Sequence, residues 1–179
     1  MNSNLEASLN FILQDEGQWV EKPNGAIGKF GIGMATLIAW RNISKGIYPT
    51  VADLRNLTDV EAKAIYSSKL YAANIGFDTL PIGLDYAALD AATNEGSGMG
   101  DDSKPGAKLL LLMTADVADV MERVKAISAI RLDRKSKRPD WNDYIQNGVA
   151  QRGHGAGWTN RIGIWVPRRA QAMIDGAAK

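Results

Sequence analysis

Cysteine is missing from this chain, and histidine occurs once, as His154 in Gly153-His154-Gly155. The lack of thiols says only that the fold needs no disulfide, since a chain working in an oxidising compartment could carry them. A single histidine without any cysteine leaves too few ligands for a histidine-rich zinc site, which argues against a metal peptidase or amidase. No metal and no cofactor are expected. A Gly-x-Ser-x-Gly elbow and a phosphate-binding glycine loop are also lacking. Charge of one sign is scarce: 21 Lys and Arg stand against 20 Asp and Glu, a formal net charge of +1. A nucleic-acid binder ordinarily carries a strong basic excess, so nucleic acid is not expected as a partner. The opening Met1-Asn2-Ser3-Asn4-Leu5-Glu6 has neither a basic start nor a long apolar run. Neither a signal peptide nor stable membrane insertion is therefore expected.

What is present fits one compact domain over 1–179: hydrophobic residues make up 45% and charged residues 23% of the chain, ordinary globular values. Most of it reads as helix, without repeats or low-complexity linkers. Thr58-Asp59-Val60-Glu61 has the spacing of a capping box, and the helix it opens carries Ala62, Ile65, Tyr66 and Leu70. Tyr66 and Tyr71 are expected in the core or at its rim. The stretch 98–106 is a loop by composition, and its Asp101-Asp102 pair lacks the ligand spacing of a calcium loop. Lys108 to Met113, with four consecutive leucines, reads as a buried helix. A longer helix is expected from about Asp116 to Arg134, through Val117, Val120, Met121, Val124, Ile127 and Ile130.

Glu16 is the first candidate for chemistry. Leu5, Leu9, Ile12 and Leu13 recur at helical spacing, and Gly17 is a stop signal just after Glu16. A helix C-terminus carries partial negative charge, and burial adds a second penalty on ionisation. Both would favour a protonated carboxyl, the form a general acid needs near neutral pH. From spacing alone an ordinary solvated glutamate is the default. The next residues shift the balance. Pro23-Asn24-Gly25-Ala26-Ile27-Gly28-Lys29-Phe30-Gly31-Ile32-Gly33 is too glycine-rich for helix and reads as a small hairpin or irregular turn. Helical periodicity then resumes from Met34 to Trp40.

This layout resembles the lysozyme-like phage N-acetylmuramidases grouped as glycoside hydrolase family 108. Glu16-Gly17-Gln18-Trp19 is similar to the family's opening Glu-Gly-Gly-Tyr, and the loop closes at Gly31-Ile32 as the family's does. The resemblance continues through 78–85 and Leu89-Asp90-Ala91-Ala92-Thr93-Asn94-Glu95-Gly96, and again at Gly157-Trp158-Thr159-Asn160-Arg161. Each motif is short, and the ordered set is what is specific. The resemblance implies a mainly α, lysozyme-like helical domain with a small glycine-rich hairpin after the first helix. It also implies an endolysin acting on peptidoglycan glycan strands, with Glu16 as the general acid. Such a protein would wait in the host cytoplasm and reach the periplasm through a holin.

Departures from the family bear on the second catalytic group. Gln18 and Trp19 replace a glycine and a tyrosine. The family's Asp-Pro-Gly-Gly-x-Thr pattern falls on Lys22-Pro23-Asn24-Gly25-Ala26-Ile27, which holds neither aspartate nor threonine. Glycoside cleavage commonly uses two carboxylates, and Glu21, Asp90 and Glu95 are the candidates. Glu21, beside Lys22, reads as a solvated loop residue. Asp90 either lines a cleft or is a paired structural group. Asn94 either caps a helix end or hydrogen-bonds an N-acetyl group. Trp19 is a sugar-stacking candidate or core, and Asn24 joins Trp19, Asp90 and Asn94 as a substrate-binding candidate. Substrate assistance, or a lone acid with water, stays open.

Arg131, Arg134, Lys135, Lys137 and Arg138 form a basic cluster ahead of Pro139 and Trp141. A helix dipole accounts for late cations, and Asp133, Asp140 and Asp143 lie among them. An anionic outer-membrane or wall surface suits the cluster better than nucleic acid. Trp158 and Arg161, ahead of a helical stretch from Ile162 to Ala172, are expected to lock the last helix in place. Two other functions stay open beside the muramidase. One is a lytic transglycosylase on the same bond. The other is a non-catalytic wall-binding or virion structural protein.

Overall fold

A computed structural model describes residues 3–21, 25–41, 48–101, 104–139, 141–142, 144–146, 149–151 and 153–177. The chain is mainly helical and forms two compact units, Met1–Asn74 and Ile75–Lys179.

The first unit opens with α1 (Ser3–Glu16), which buries Leu5, Leu9 and Ile12 along one stripe. Gly17 ends it at φ +70°, its N–H donating to the Leu13 carbonyl at 3.2 Å. The expected hairpin is a three-stranded antiparallel sheet of β1 (Trp19–Glu21), β2 (Ile27–Lys29) and β3 (Ile32–Gly33). Lys29 pairs with Ile32, so Phe30-Gly31 is a two-residue turn, and both its residues have positive φ (53° and 75°). That is the backbone such tight hairpins require. Phe30 is an uncommon residue for it, and it is held by its N–H on the Gln18 carbonyl (2.9 Å) and by the Tyr66 hydroxyl on its own carbonyl (2.7 Å).

Helices α2 (Met34–Arg41), α3 (Val51–Arg55) and α4 (Asp59–Ser67) complete this unit, with α1 packed on α4 and α3 on β2. Thr58 caps α4 as expected, accepting from the Glu61 N–H at 3.1 Å. The Glu61 carboxylate is instead paired with Arg41 (3.1 Å). A reciprocal capping box does occur at Thr50 and Asp53, opening α3. There the hydroxyl and N–H of Thr50, and then Arg41, lower the Asp53 pKa to about 2. The short α5 (Ala72–Ile75) follows.

In the second unit a 3-10 turn (Phe77–Thr79) leads to α6 (Leu84–Glu95), whose residues Leu84 to Ala92 are all buried. Alanines at 87, 88, 91 and 92 keep this central helix thin, and α7 (Ala107–Met113), α8 (Val120–Ser136) and α10 (Val166–Ala177) pack around it. Between α8 and α10 lie a hairpin of β4 (Tyr144–Gln146) and β5 (Val149–Gln151), α9 (Gly155–Trp158) and a π-helical segment (Thr159–Trp165). The leucine run is less buried than its composition predicts. Leu110 and Leu111 face the core, whereas Leu112 and Met113 are exposed, because a helix only partly wrapped by neighbours buries one face. The long helix starts later than expected, since Asp119 caps it through the Glu122 N–H (2.9 Å). Among the described residues, no helix is long and apolar enough to cross a membrane.

Candidate active site

Glu16 ends α1 where the chain turns into β1, and its Oε1 atom is buried. A cavity of about 230 Å³ opens beside it, lined by Glu16, Val20, Ala26, Ile27, Gly28, Gly31 and Gly33. Glu16 is the one ionisable side chain among these described residues. Three glycines leave much of the wall as bare backbone, which lets a ring approach peptide N–H and C=O groups closely. Gly31 is required twice over. Its φ of +75° disfavours a side chain, and a Cβ placed there would stand 2.6 Å from Glu16 Oε2. The turn glycine thus makes room for the carboxylate.

Strand alternation decides which β1 residues share the cavity. Val20 lines it; its neighbours Trp19 and Glu21 point to the other face. The Arg55 guanidinium lies 4.9 Å from the Trp19 ring centroid, covering one face of the half-buried indole. Glu21 is exposed and sits opposite Ile27 in the ladder. Asn24 lies outside the described residues, as do Lys22 and Pro23.

Tyr71 stands within electrostatic reach of this carboxylate and pairs with the Thr36 side chain, a placement that local sequence does not encode. Burial raises the Tyr71 pKa, a hydrogen bond with the Thr36 side chain opposes that rise, and the Glu16 charge adds to it. The Tyr66 and Tyr71 rings meet edge to face at 4.8 Å, so the tyrosine whose hydroxyl fixes the Phe30-Gly31 turn also packs against the one that feels the Glu16 charge. Nothing in the local pattern around Tyr71 marks this role. It follows from long-range packing.

Asp90 and Asn94 belong to the second unit, in a different setting from Glu16. Asp90 is fully buried, with Arg161 Nε and Nη2 at 3.0 and 2.8 Å from Oδ1 and Arg131 Nη1 at 2.9 Å from Oδ2. Burial opposes its ionisation, but the charges of Arg161 and Arg131 outweigh it and hold the carboxyl below its ordinary range. Of the two readings open for Asp90, this is the geometry of the paired structural group. Arg131 also reaches Glu95 Oε1 (3.1 Å), as does Lys135 (3.3 Å). The Lys135 ammonium sits 3.7 Å from the Trp158 ring centroid. Burial lowers the Lys135 pKa, Glu95 counters it, and the charge of Arg131 reinforces the fall. Trp158 and Arg161 thus fasten the π-helical region to α6 and α8, as packing residues. The Asn94 amide donates to the Asp90 carbonyl and to the Thr93 hydroxyl, both at 3.0 Å, a helix-end role. Among the described residues, no group of three or more His, Cys, Asp or Glu gathers as a metal site would require.

Residues 9–96 match the family described as glycosyl hydrolase 108, a span that holds Glu16, the sheet and the whole of α6. The chain is also similar to a solved structure, that of Brucella abortus SagA, at 24% identity and a TM-score of 0.74, covering 97% of each chain. At that identity the likeness speaks for the fold. Comparison with curated proteins gave no match.

Proposed function

We propose, because residues 9–96 match the glycosyl hydrolase 108 family, that this chain is a muramidase acting on peptidoglycan. The bond cut is the β-1,4 link between N-acetylmuramic acid and N-acetylglucosamine, with Glu16 as general acid. One observation carries the reading: a helix-terminal carboxylate with a buried oxygen stands in a cleft walled by glycine backbone. A glycosidic oxygen leaves poorly until it is protonated. Glu16 supplies that proton as the bond to muramic acid C1 breaks. Water then adds to C1, and its proton passes to the Glu16 carboxylate, restoring the acid.

A lytic transglycosylase is the second reading, and a specific observation favours it. Among the described residues lining the cleft, Glu16 is the one carboxylate. In that case the C6 hydroxyl of the same muramic acid attacks C1, forms the 1,6-anhydro ring and gives its proton to Glu16. The resemblance to phage endolysins supports a place of action as well: the protein would be held in a host cytoplasm and released to the periplasm through a holin.

Mass spectrometry of peptidoglycan digested with wild-type protein and with Glu16→Gln tests both readings. The muramidase predicts reducing muropeptides ending in N-acetylmuramic acid, formed about 10²- to 10⁴-fold more slowly by the variant with the fold unchanged. Anhydro-muropeptides instead would make the enzyme a transglycosylase using the same acid. Wild-type protein that yields no product would favour a non-catalytic wall-binding or virion structural role. Turnover by Glu16→Gln at the wild-type rate would remove Glu16 from the mechanism.

A further inference from the structure

A second cavity, of about 310 Å³, lies within the Ile75–Lys179 unit and is walled mainly by cations. Arg131, Arg134, Lys135 and Arg138 contribute from the end of α8 and the residue turn beyond it, and Lys104 contributes from the segment before α7. Glu95 is the one carboxylate in the lining. The α8 group falls at i, i+3, i+4 and i+7, the spacing that stacks like charges on one helix face and costs stability. A helix C-terminus attracts cations through its dipole, yet that attraction reaches only the last turn. It does not account for Lys104, which arrives from another segment, nor for an arginine as deeply buried as Arg131.

Among the described residues the internal counter-ions do not balance the cavity. Glu95 is shared by Arg131 and Lys135, and Asp90 behind them is shared by Arg131 and Arg161. Among the described residues no carboxylate lies within ion-pair distance of Lys104 or Arg134. Lys135 is pushed below its ordinary range by burial and, despite Glu95, by the positive charges of Arg131 and Arg138.

From this cavity we propose that the second unit binds a phosphate group, as a phosphomonoester or a phosphodiester. Lys104 and Arg134 face the space from different segments, and a tetrahedral oxyanion accepts from several directions at once. A flat carboxylate is best served by a single guanidinium fork and would leave the remaining cations unmatched. Phosphate also carries up to two charges in a small volume, which suits a cavity where Lys104 and Arg134 have no carboxylate partner among the described residues. The site is separate from the Glu16 cleft and does not depend on the glycosidase reading.

The test uses the full chain and two probes, inorganic phosphate and glycerol 3-phosphate, titrated by calorimetry at fixed ionic strength with acetate as the control anion. Arginine side-chain NMR signals of Arg131 and Arg134 report the location. Both probes are expected to bind and to shift those signals, and Lys104→Gln with Arg134→Gln should each weaken binding by about tenfold. Both variants leave the Asp90–Arg131–Arg161 network in place, and their peptidoglycan turnover should match wild type. If glycerol 3-phosphate binds and inorganic phosphate does not, an organic phosphomonoester is the source of the ligand. Binding of inorganic phosphate alone would limit the site to the free ion and overturn the assignment to a phosphate ester. Binding of neither probe, equal binding of acetate, or unchanged affinity in both variants would overturn the proposal. So would binding of a single-stranded oligonucleotide through these residues without binding of either small probe.

Discussion

At the Phe30-Gly31 turn, the backbone and the proposed acid are one structural problem. Gly31 has a φ that an L side chain adopts only at a cost, and its missing Cβ is the space that the Glu16 carboxylate occupies. Gly31→Ala is therefore expected to cost about 1–2 kcal/mol in backbone strain and to displace the carboxylate. Misplacing a reacting group by an ångström typically costs about 10²-fold in rate, so activity should fall by more than the stability loss explains. Circular dichroism melts beside turnover on peptidoglycan check this, and a variant with wild-type turnover would separate the turn from the acid. The helix-end position of Glu16 beside a glycine-rich turn was legible in sequence because its signals are local: a helix stripe, a stop glycine and a glycine-rich loop. Tyr71, whose titration feels the Glu16 charge, and its partner Thr36 were not, since packing brings them together from the turn after α4 and from α2. Trp19 shows the limit from the other side. An aromatic next to the acid in sequence stands on the opposite face of β1, because strand side chains alternate.

Elements repeat the pattern: boundaries set by local chemistry were readable, and those set by partners were not. Thr58 capped its helix as the spacing implies, while the carboxylate of its box was taken by Arg41 from another helix. The leucines of α7 and the start of α8 moved for the same kind of reason, a neighbour or a cap that periodicity does not encode. Asp90 is the clearest case. Its place on an apolar stripe fits either a cleft or a core, and only Arg131 and Arg161, from elements far along the chain, make it an internal counter-ion. Arg131→Met should leave Asp90 and Glu95 each short of a cation in a buried setting. Removing one partner of a buried pair costs about 3–5 kcal/mol, and urea denaturation would read the loss directly. Lys125→Met, at an exposed pair of Glu122 on the same helix, is the control and should move stability far less, because solvent screens that pair. Equal effects from the two would mean that the buried network adds nothing beyond an exposed pair.

For the whole molecule, Asp90 turns local geometry into a dependence of stability on pH. Its ordinary pKa is 3.8, and the charges of Arg161 and Arg131, working against burial, hold it lower in the folded chain. Between the folded and unfolded values the unfolded chain binds more protons, so stability falls as the medium is acidified. The contribution is complete above the unfolded value and is lost as pH drops through the folded one. Protonating Asp90 would also leave two buried guanidiniums facing a neutral group, with Glu95 as the remaining anion for Arg131. Urea midpoints followed from about pH 5 to about pH 2 should therefore drop for the wild-type chain. For Asp90→Asn the curve should start lower and slope less, because that carboxyl no longer titrates. Hydrogen exchange at the amides of α6 and α8 would locate the loss in the unit that holds the network. A wild-type midpoint level across the range, or an equal slope in the variant, would mean that other carboxylates govern acid unfolding and that the buried pairing of Asp90 leaves no mark on it.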